Sequence, residues 1–331
     1  MRAAYGLAFS QVVFLPLGAD AHTAVYRAAA SDGQAYFVKL RRGAFDELSV
    51  ALPKFLSGLG ISGLIAPLQT GSGQLWADLD PYRVILYPYI PGQDAYTACL
   101  TEAQWATFGA ALRRIHTAEL PAALVDRLQR ELWSSRWREG LRQALQRLDA
   151  DVVDDPVALE LATFIRSRQA QIEQLLDRAE QLARLLPQRS LPLVLCHTDL
   201  HAGNLLAADD GALYIVDWDN PLLAPVERDL MFIGGAQGFA GVTAAEEEIR
   251  FYRGYGPARI DPDALAYYRA ARIIEDLAIY SQELLFSTAG GADRANSLRY
   301  FKSNFQPGGT IARASHPGST SKISESSRPV E

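Results

Sequence analysis

The stretch Leu193–Leu206 reads L-V-L-C-H-T-D-L-H-A-G-N-L-L. A short apolar run ends at His197, and Asp199, His201, Gly203 and Asn204 follow before Leu205 and Leu206 restore the apolar character. Tyr214–Asp219 (Y-I-V-D-W-D) repeats the pattern, again delivering carboxylates at the end of an apolar run. A buried strand that runs into polar residues fixes their backbone while leaving the side-chain tips in a cleft. The two stretches therefore predict neighbouring strand ends that converge on one site.

Upstream, the chain reads as β structure. Val12–Leu17, Ala24–Ala29 and Ala35–Leu40 are short β-prone runs, and Ser31-Asp32-Gly33 is a hairpin signal between the last two. Phe45–Leu59 predicts an amphipathic helix, and Val84–Tyr89 a further strand that stops at Pro88 and the Pro91-Gly92 turn. Beyond Pro91 long helices take over. Thr101-Glu102-Ala103-Gln104 is a capping box, after which Trp105, Phe108, Leu112 and Ile115 fall on one helical face. Asp155-Pro156 and Asp261-Pro262 each supply a cap followed by a proline at the first helical position. The expected organisation is an α+β fold in two lobes: a small β-rich lobe over residues 1–90, a connector at about 86–92, and a larger, mainly helical lobe over 91–302. Residues 303–331 are rich in Ser, Gly and Pro, which predicts a disordered tail. Ligands favour the cleft between two such lobes.

At 331 residues the chain is long enough for a large core, and its 49% hydrophobic and 21% charged residues are ordinary for a globular protein. A net charge of −6 argues against nucleic acid as the partner. Two cysteines, Cys99 and Cys196, cannot make a disulfide framework or a four-cysteine zinc site. No segment has the apolar length of a membrane span, and no signal-peptide core is visible. A soluble, cytoplasmic protein with no obligate protein partner is expected.

The spacing H-x-D-x-x-x-x-N, with a further Asp thirteen residues after the Asn, suits transfer of a γ-phosphoryl group. Such transfer needs a carboxylate to orient the acceptor hydroxyl and take its proton, and hard oxygen ligands for Mg2+. Asp199 suits the base, and Asn204 with Asp217 the metal. His197 is placed to pin the loop by hydrogen bonding. Lys39, in Y-F-V-K-L, shares a strand face with Phe37 and is placed to meet nucleotide phosphates as a point charge. Glu47 is its candidate carboxylate partner, with Asp46 as the rival. His197, Asp199 and His201 also have a zinc-ligand look, but with five histidines in all, and His22, His116 and His316 outside any ligand spacing, that set is short of ligands.

These residues carry a resemblance. C-H-T-D-L-H-A-G-N (196–204), Y-I-V-D-W-D-N-P (214–221), A-P-V-E-R-D-L-M-F-I-G-G (224–235), F-Y-R-G-Y-G (251–256) and R-I-I-E-D-L-A-I-Y (272–280), with V-K-L and I-L-Y-P-Y-I upstream, resemble the aminoglycoside phosphotransferases and related small-molecule kinases. The segments over 224–280 point to the spectinomycin branch of that family. The resemblance implies a protein-kinase-like fold, ATP as co-substrate and Mg2+ as cofactor. It implies Asp199 as base, Asn204 and Asp217 as metal ligands, and Lys39 with Glu47 at the phosphates. A connector including Tyr87, Tyr89 and Ile90 would meet adenine, and Gly18 would belong to the phosphate loop. The glycine-rich loop of protein kinases is reduced to Gly18 with Ala19 and Ala21, D-F-G is replaced by D-W-D, and no A-P-E segment follows. These departures exclude a protein kinase.

The acceptor belongs in the helical lobe, where Asp219, Glu227, Asp229, Glu275 and Asp276 offer negative charge for a cationic substrate. Arg228 stands between two of these acids and is expected to engage Glu227 and Asp229 in an ion pair. Of Glu275 and Asp276, which point about 100° apart on a helix, one is expected to face the cleft; Asp219, Glu275 and Asp276 are the candidate substrate contacts. Trp218 and Tyr268 are expected in the core. The function expected is phosphorylation of a hydroxyl on spectinomycin or a related aminocyclitol or aminoglycoside. Choline, homoserine and sugars are the alternative acceptors, and a catalytically inactive kinase-like binding protein is the alternative class.

Overall fold

The computed structural model describes residues 1–18, 22–235, 238–291 and 293–315. Alternating β-branched, aromatic and small residues make the first lobe a sheet. A short helix α1 (Arg2–Tyr5) precedes β1 (Phe9–Leu15), β2 (Thr23–Ala30) and β3 (Ala35–Arg42); α2 (Leu48–Gly58), β4 (Ala77–Leu79) and β5 (Tyr82–Pro88) follow. The five strands pair antiparallel in the order β1-β2-β3-β5-β4, so β3 is central and Lys39 lies between Val25 and Ile85. Ala28, Val38, Val84 and Leu86 bury one face of this sheet beneath Met1, Tyr5, Leu7 and Phe9. The Tyr5 hydroxyl donates to the Val84 carbonyl at 3.1 Å, which fastens α1 over that core. Period-two alternation then leaves Phe37, Lys39 and Arg41 on the opposite face.

The helical lobe begins with β6 (Gly92–Asp94), α3 (Glu102–His116), α4 (Ala122–Val125), α5 (Arg136–Gln146) and the long α6 (Pro156–Leu185). The capping box forms as the sequence predicts, with the Gln104 amide donating to the Thr101 hydroxyl oxygen and the Thr101 amide donating to Gln104 Oε1. Four short strands carry the polar motifs: β7 (Val194–Cys196), β8 (Leu205–Ala208), β9 (Leu213–Ile215) and β10 (Leu222–Ala224). β7 pairs with β10, and β6, β8 and β9 form a second small sheet. Then come α7 (Glu227–Leu230), α8 (Ala244–Tyr255), α9 (Pro262–Leu285), α10 (Asp293–Ser303) and α11 (Thr310–Ser315).

Two apolar cores hold this lobe. The first joins the Trp105, Phe108, Leu112 and Ile115 face of α3 to Leu195, Leu200, Leu205, Ile215 and Trp218 around the polar motifs, and reaches Leu52 and Leu56 of α2. It therefore couples the site to both lobes. α3 and α8 approach so closely that a Cβ on Gly109 or Gly254 would overlap backbone of the other helix, which explains the glycine in F-Y-R-G-Y-G. The second core packs α5, α6, α9 and α10, and its buried residues include Phe301 and Ile311. Ile311 corrects the expected tail: residues 303–315 fold onto the helical lobe, because α11 buries one apolar side chain among polar neighbours whose composition hid it. The remainder of that segment, 316–331, lies outside the described residues. Trp218 and Tyr268 are buried, as expected.

Candidate active site

β7 is held by its pairing with β10 and by a carboxylate beneath it. Asp229, fully buried in α7, accepts from the His197 amide at 2.9 Å and the Thr198 amide at 2.6 Å. His116 Nε2 donates to the same carboxylate at 3.1 Å, and its Nδ1 lies 2.7 Å from the Tyr255 hydroxyl. Burial alone would raise the Asp229 carboxyl, but its hydrogen bonds with His116 and with the His197 amide hold it below the usual range. Thr198 has φ 76°, a left-handed conformation costly for a β-branched residue, by about 1–3 kcal/mol. The Asp229 bracket and a 2.8 Å bond from Thr198 Oγ1 to the Asn220 carbonyl hold it there. His116 and Asp229 are not legible in the sequence as loop supports, since the first is distant along the chain and the second stands beside Arg228, its expected ion-pair partner. That ion pair does not form. Arg228 lies over the Tyr268 ring, and Glu227 accepts from the Asp261 amide at 2.7 Å. His116, Cys196 and Asp229 lie close enough to gather a cation. Yet both Asp229 oxygens are engaged, and burial pushes the Cys196 thiol well above its ordinary pKa, so the cluster reads as a bracket.

His197 ties the loop to the next motif. Its Nε2 donates to the Val216 carbonyl at 2.9 Å, its Nδ1 accepts from the Asp199 amide at 3.3 Å, and its ring packs edge-on to Trp218. Asp199 then projects from the turn. Asn204 Nδ2 donates to the Asp199 carbonyl at 2.8 Å and to Oδ2 at 3.2 Å. With that nitrogen committed, Asn204 Oδ1 is the amide atom suited to a cation. Arg272 Nη1 of α9 donates to the other Asp199 oxygen, Oδ1, at 2.7 Å. His201 Nδ1 accepts from the Gly203 amide at 3.0 Å, which puts a proton on Nε2, 3.5 Å from Asp199 Oδ2. The His201 ring stacks on Tyr96. Burial pushes the Asp199 carboxyl up, but His201 and Arg272 more than offset this and hold it far below the usual range.

Across the cleft Lys39 Nζ donates to Asp217 Oδ1 at 2.8 Å and to the two Asp219 oxygens at 2.9 and 3.0 Å. Arg41, two residues along the same strand face, also donates to Asp219. Burial lowers the Lys39 ammonium, but the two carboxylates outweigh it and its pKa is raised. Asp217 has φ 66°, a second left-handed residue at the site, and its side chain is 46% exposed, so its carboxylate reaches the cleft. Two expectations are corrected here. Glu47 does not meet Lys39; it precedes α2 and pairs with Arg127 at 3.0 Å, because D-W-D supplies acids nearer the lysine. Asp219, expected among the substrate contacts, is instead engaged by Lys39 and Arg41 of β3. Tyr87 packs edge-on to Phe37 on the Lys39 face; burial, with Asp219 and Asp217 nearby, raises its hydroxyl pKa. Tyr89 carries the Arg27 guanidinium on its ring, and the Tyr89 amide donates to the Ala35 carbonyl at 3.2 Å. Ile90 is half-buried in the connector, and Gly18 takes φ 82° after β1; Ala19 and Ala21 lie outside the described residues.

α9 brings the remaining acids to the Asp199 side. Asp276 Oδ1 lies 3.2 Å from Arg272 Nε, and Glu275 is near enough to act on both electrostatically. Burial raises the Asp276 carboxyl, partly opposed by Arg272.

A loop that presents a carboxylate beside an amide oxygen, facing a strand lysine and a second acid, is the apparatus of phosphoryl transfer. The profile of the phosphotransferase enzyme family matches residues 13–268. The chain belongs to that family. It is similar to the crystal structure of spectinomycin phosphotransferase APH(9)-Ia in complex with ADP and spectinomycin, at 35% identity over 96% of this chain and 95% of that one, with a TM-score of 0.88. The AMP-bound complex of the same enzyme aligns at 34% identity over 96% of each chain, with a TM-score of 0.84. An amicoumacin kinase, at 18% identity, TM-score 0.60 and coverage of 94% of each chain, shares the fold. A comparison with curated protein sequences returned no match. The chain is thus a phosphotransferase of the kind that modifies hydroxyl groups of small molecules, with the two-lobed α+β kinase-like fold expected from its sequence.

Proposed function

We propose that this phosphotransferase transfers the γ-phosphoryl group of ATP to a hydroxyl of spectinomycin or a closely related aminocyclitol, in the cytoplasm where ATP is available. The observation that carries the reading is the 35% identity, over nearly the whole of both chains, to an enzyme crystallised with ADP and spectinomycin. The distribution of acids supports it, because protonated amines on the acceptor would find Asp276 and Glu275 beside Asp199.

Lys39 and Arg41 meet the nucleotide phosphates, taking them in place of the Asp219 carboxylate that they hold in this structure. Asp217 and Asn204 offer a carboxylate and an amide oxygen, a hard donor pair that fits Mg2+ better than zinc or another soft metal. Mg2+ bound there would neutralise phosphate charge. Asp199 accepts the hydrogen bond of the acceptor hydroxyl and takes its proton. The hydroxyl oxygen forms the new bond to the γ-phosphorus, and the bond to the bridging oxygen breaks, its electron pair leaving with ADP. His197 and the Asp229 bracket hold the loop still during these events.

An ADP-release assay across spectinomycin, kanamycin, choline and homoserine tests the acceptor. Spectinomycin is expected to give the highest kcat/KM, with a phosphorylated product by mass spectrometry. Turnover on choline or homoserine without turnover on spectinomycin would replace the acceptor and keep the reaction.

A further inference from the structure

Arg272 lies seventy-three residues from the loop it contacts, and none of the roles above uses it. Its guanidinium sits 5.9 Å from the Phe232 ring, with Nη1 on Asp199 Oδ1 at 2.7 Å and Nε 3.2 Å from Asp276 Oδ1. We propose that Arg272 is a positioning residue: it fixes the plane of the Asp199 carboxylate from the oxygen opposite Asn204 and joins that carboxylate to Asp276 on the acceptor side. This inference rests on the phosphotransferase reading and deepens it.

The terminal torsion of an aspartate is broad and roughly two-fold, so a contact on one oxygen leaves the carboxylate free to turn. Asn204 and His201 address only Oδ2. Arg272 addresses Oδ1, and the pair of contacts from opposite sides removes that freedom. Oδ1 keeps a second lone pair beside the Arg272 contact, so an acceptor hydroxyl can still donate to Asp199 while the contacts on both oxygens stand. Preorganisation of this kind lowers the barrier by sparing a reorientation at the moment of transfer.

The guanidinium is not placed for its own satisfaction. Nε is buried and, among the described residues, has no aligned hydrogen-bond partner, although Asp276 Oδ1 is only 3.2 Å away. A pair kept only for stability would gain by aligning that bond. Here the fork is aimed along Nη1 at the base, and Asp276 contributes charge without direction. Lysine could supply the charge but not a planar fork reaching two acids at once.

The test compares Arg272→Ala and Arg272→Lys with the unsubstituted protein in kcat, KM for ATP and acceptor, ADP affinity and resistance to urea. Arg272→Ala is expected to lower kcat about 10–100-fold while ADP affinity stays within about twofold, because the phosphate side does not touch Arg272. Ethylguanidinium in the assay should recover part of the Arg272→Ala loss and none of an Asp199→Ala loss. Arg272→Lys should remain at least about tenfold slow despite its charge. A kcat within about threefold of the unsubstituted protein in Arg272→Ala would overturn the role. So would a loss that follows urea sensitivity and that ethylguanidinium leaves untouched, which would make Arg272 a structural ion-pair residue. If the unsubstituted protein shows no spectinomycin-dependent turnover, the acceptor assignment fails separately. The same comparison is then read from slow ATP hydrolysis with water as acceptor, where the fall and the rescue are again required.

Discussion

The two flanks of the cleft are both built from ion pairs, and they are balanced differently. On the phosphate flank Lys39 and Arg41 face Asp217 and Asp219, two cations against two acids. On the flank proposed for the acceptor, Arg272 faces Asp199 and Asp276, with Glu275 close by. Under the proposed reaction, with Asp217 turned to Mg2+, the first flank would present two cations against Asp219 alone, which would suit a polyanion. The second retains more acid than base, which suits an acceptor carrying ammonium groups. Neither contrast comes from overall charge: one protein with a net charge of −6 holds both.

The sharpest way to separate the flanks is to remove one working carboxylate from each. Asp199→Ala should lose roughly 10²–10⁴-fold in turnover, about 3–5 kcal/mol, with ADP affinity little changed. Surviving turnover would remove Asp199 from the role of base. A buried carboxylate outside both flanks supplies a control. Glu247 of α8 is 2% exposed, accepts from the Gly234 amide at 2.9 Å, and burial raises it from 4.5 to about 7. Because the folded chain holds this proton more tightly than the unfolded one, the contribution of Glu247 to stability is full below about pH 4.5 and is lost as pH rises through about 7. Relative to Glu247→Gln, the unsubstituted protein should lose about 3 kcal/mol over that window in urea unfolding. A constant difference between the two would show that Glu247 stays ionised throughout.

Asp217→Ala should weaken Mg·ADP at least about tenfold while leaving the affinity for acceptor alone unchanged; calorimetric titration that finds equal Mg·ADP affinity would strip Asp217 of its metal role. The smallest effect belongs to the edge of the acceptor flank. Glu275→Gln should raise the KM of a cationic acceptor by about 1 kcal/mol, roughly fivefold, and leave the KM of ATP alone. An equal rise in both would mean that the charge of Glu275 is felt across the whole cleft, and the contrast between flanks would blur.

Much of the arrangement was legible in order along the chain. Strand periodicity placed Lys39 opposite the sheet core, the capping box and the Trp105-to-Ile115 stripe placed α3, and the spacing of Asp199, Asn204 and Asp217 marked the strand ends. These signals are local, since strand pairing, caps and tight turns are read within a few residues. The partner of Lys39 was misread as Glu47 because distance in sequence says nothing about which of several acids reaches a given ammonium. The expected disorder of the tail failed for a related reason: a few apolar residues, Phe305, Ile311 and Ala314, carry its packing, and composition averages such residues away.

What the sequence by itself determined was therefore the catalytic vocabulary: a loop with Asp199 and Asn204, a D-W-D segment, and a strand lysine, in a β-rich lobe followed by a helical one. Only the tertiary structure decided the pairings among charged groups: Asp229 and His116 under the loop, Asp219 on Lys39 and Arg41, and Arg272 on Asp199. The physical reason is the range of the interactions. Backbone conformation is set by near neighbours, whereas a buried charge must find its counter-charge wherever the fold brings one, here from segments far along the chain.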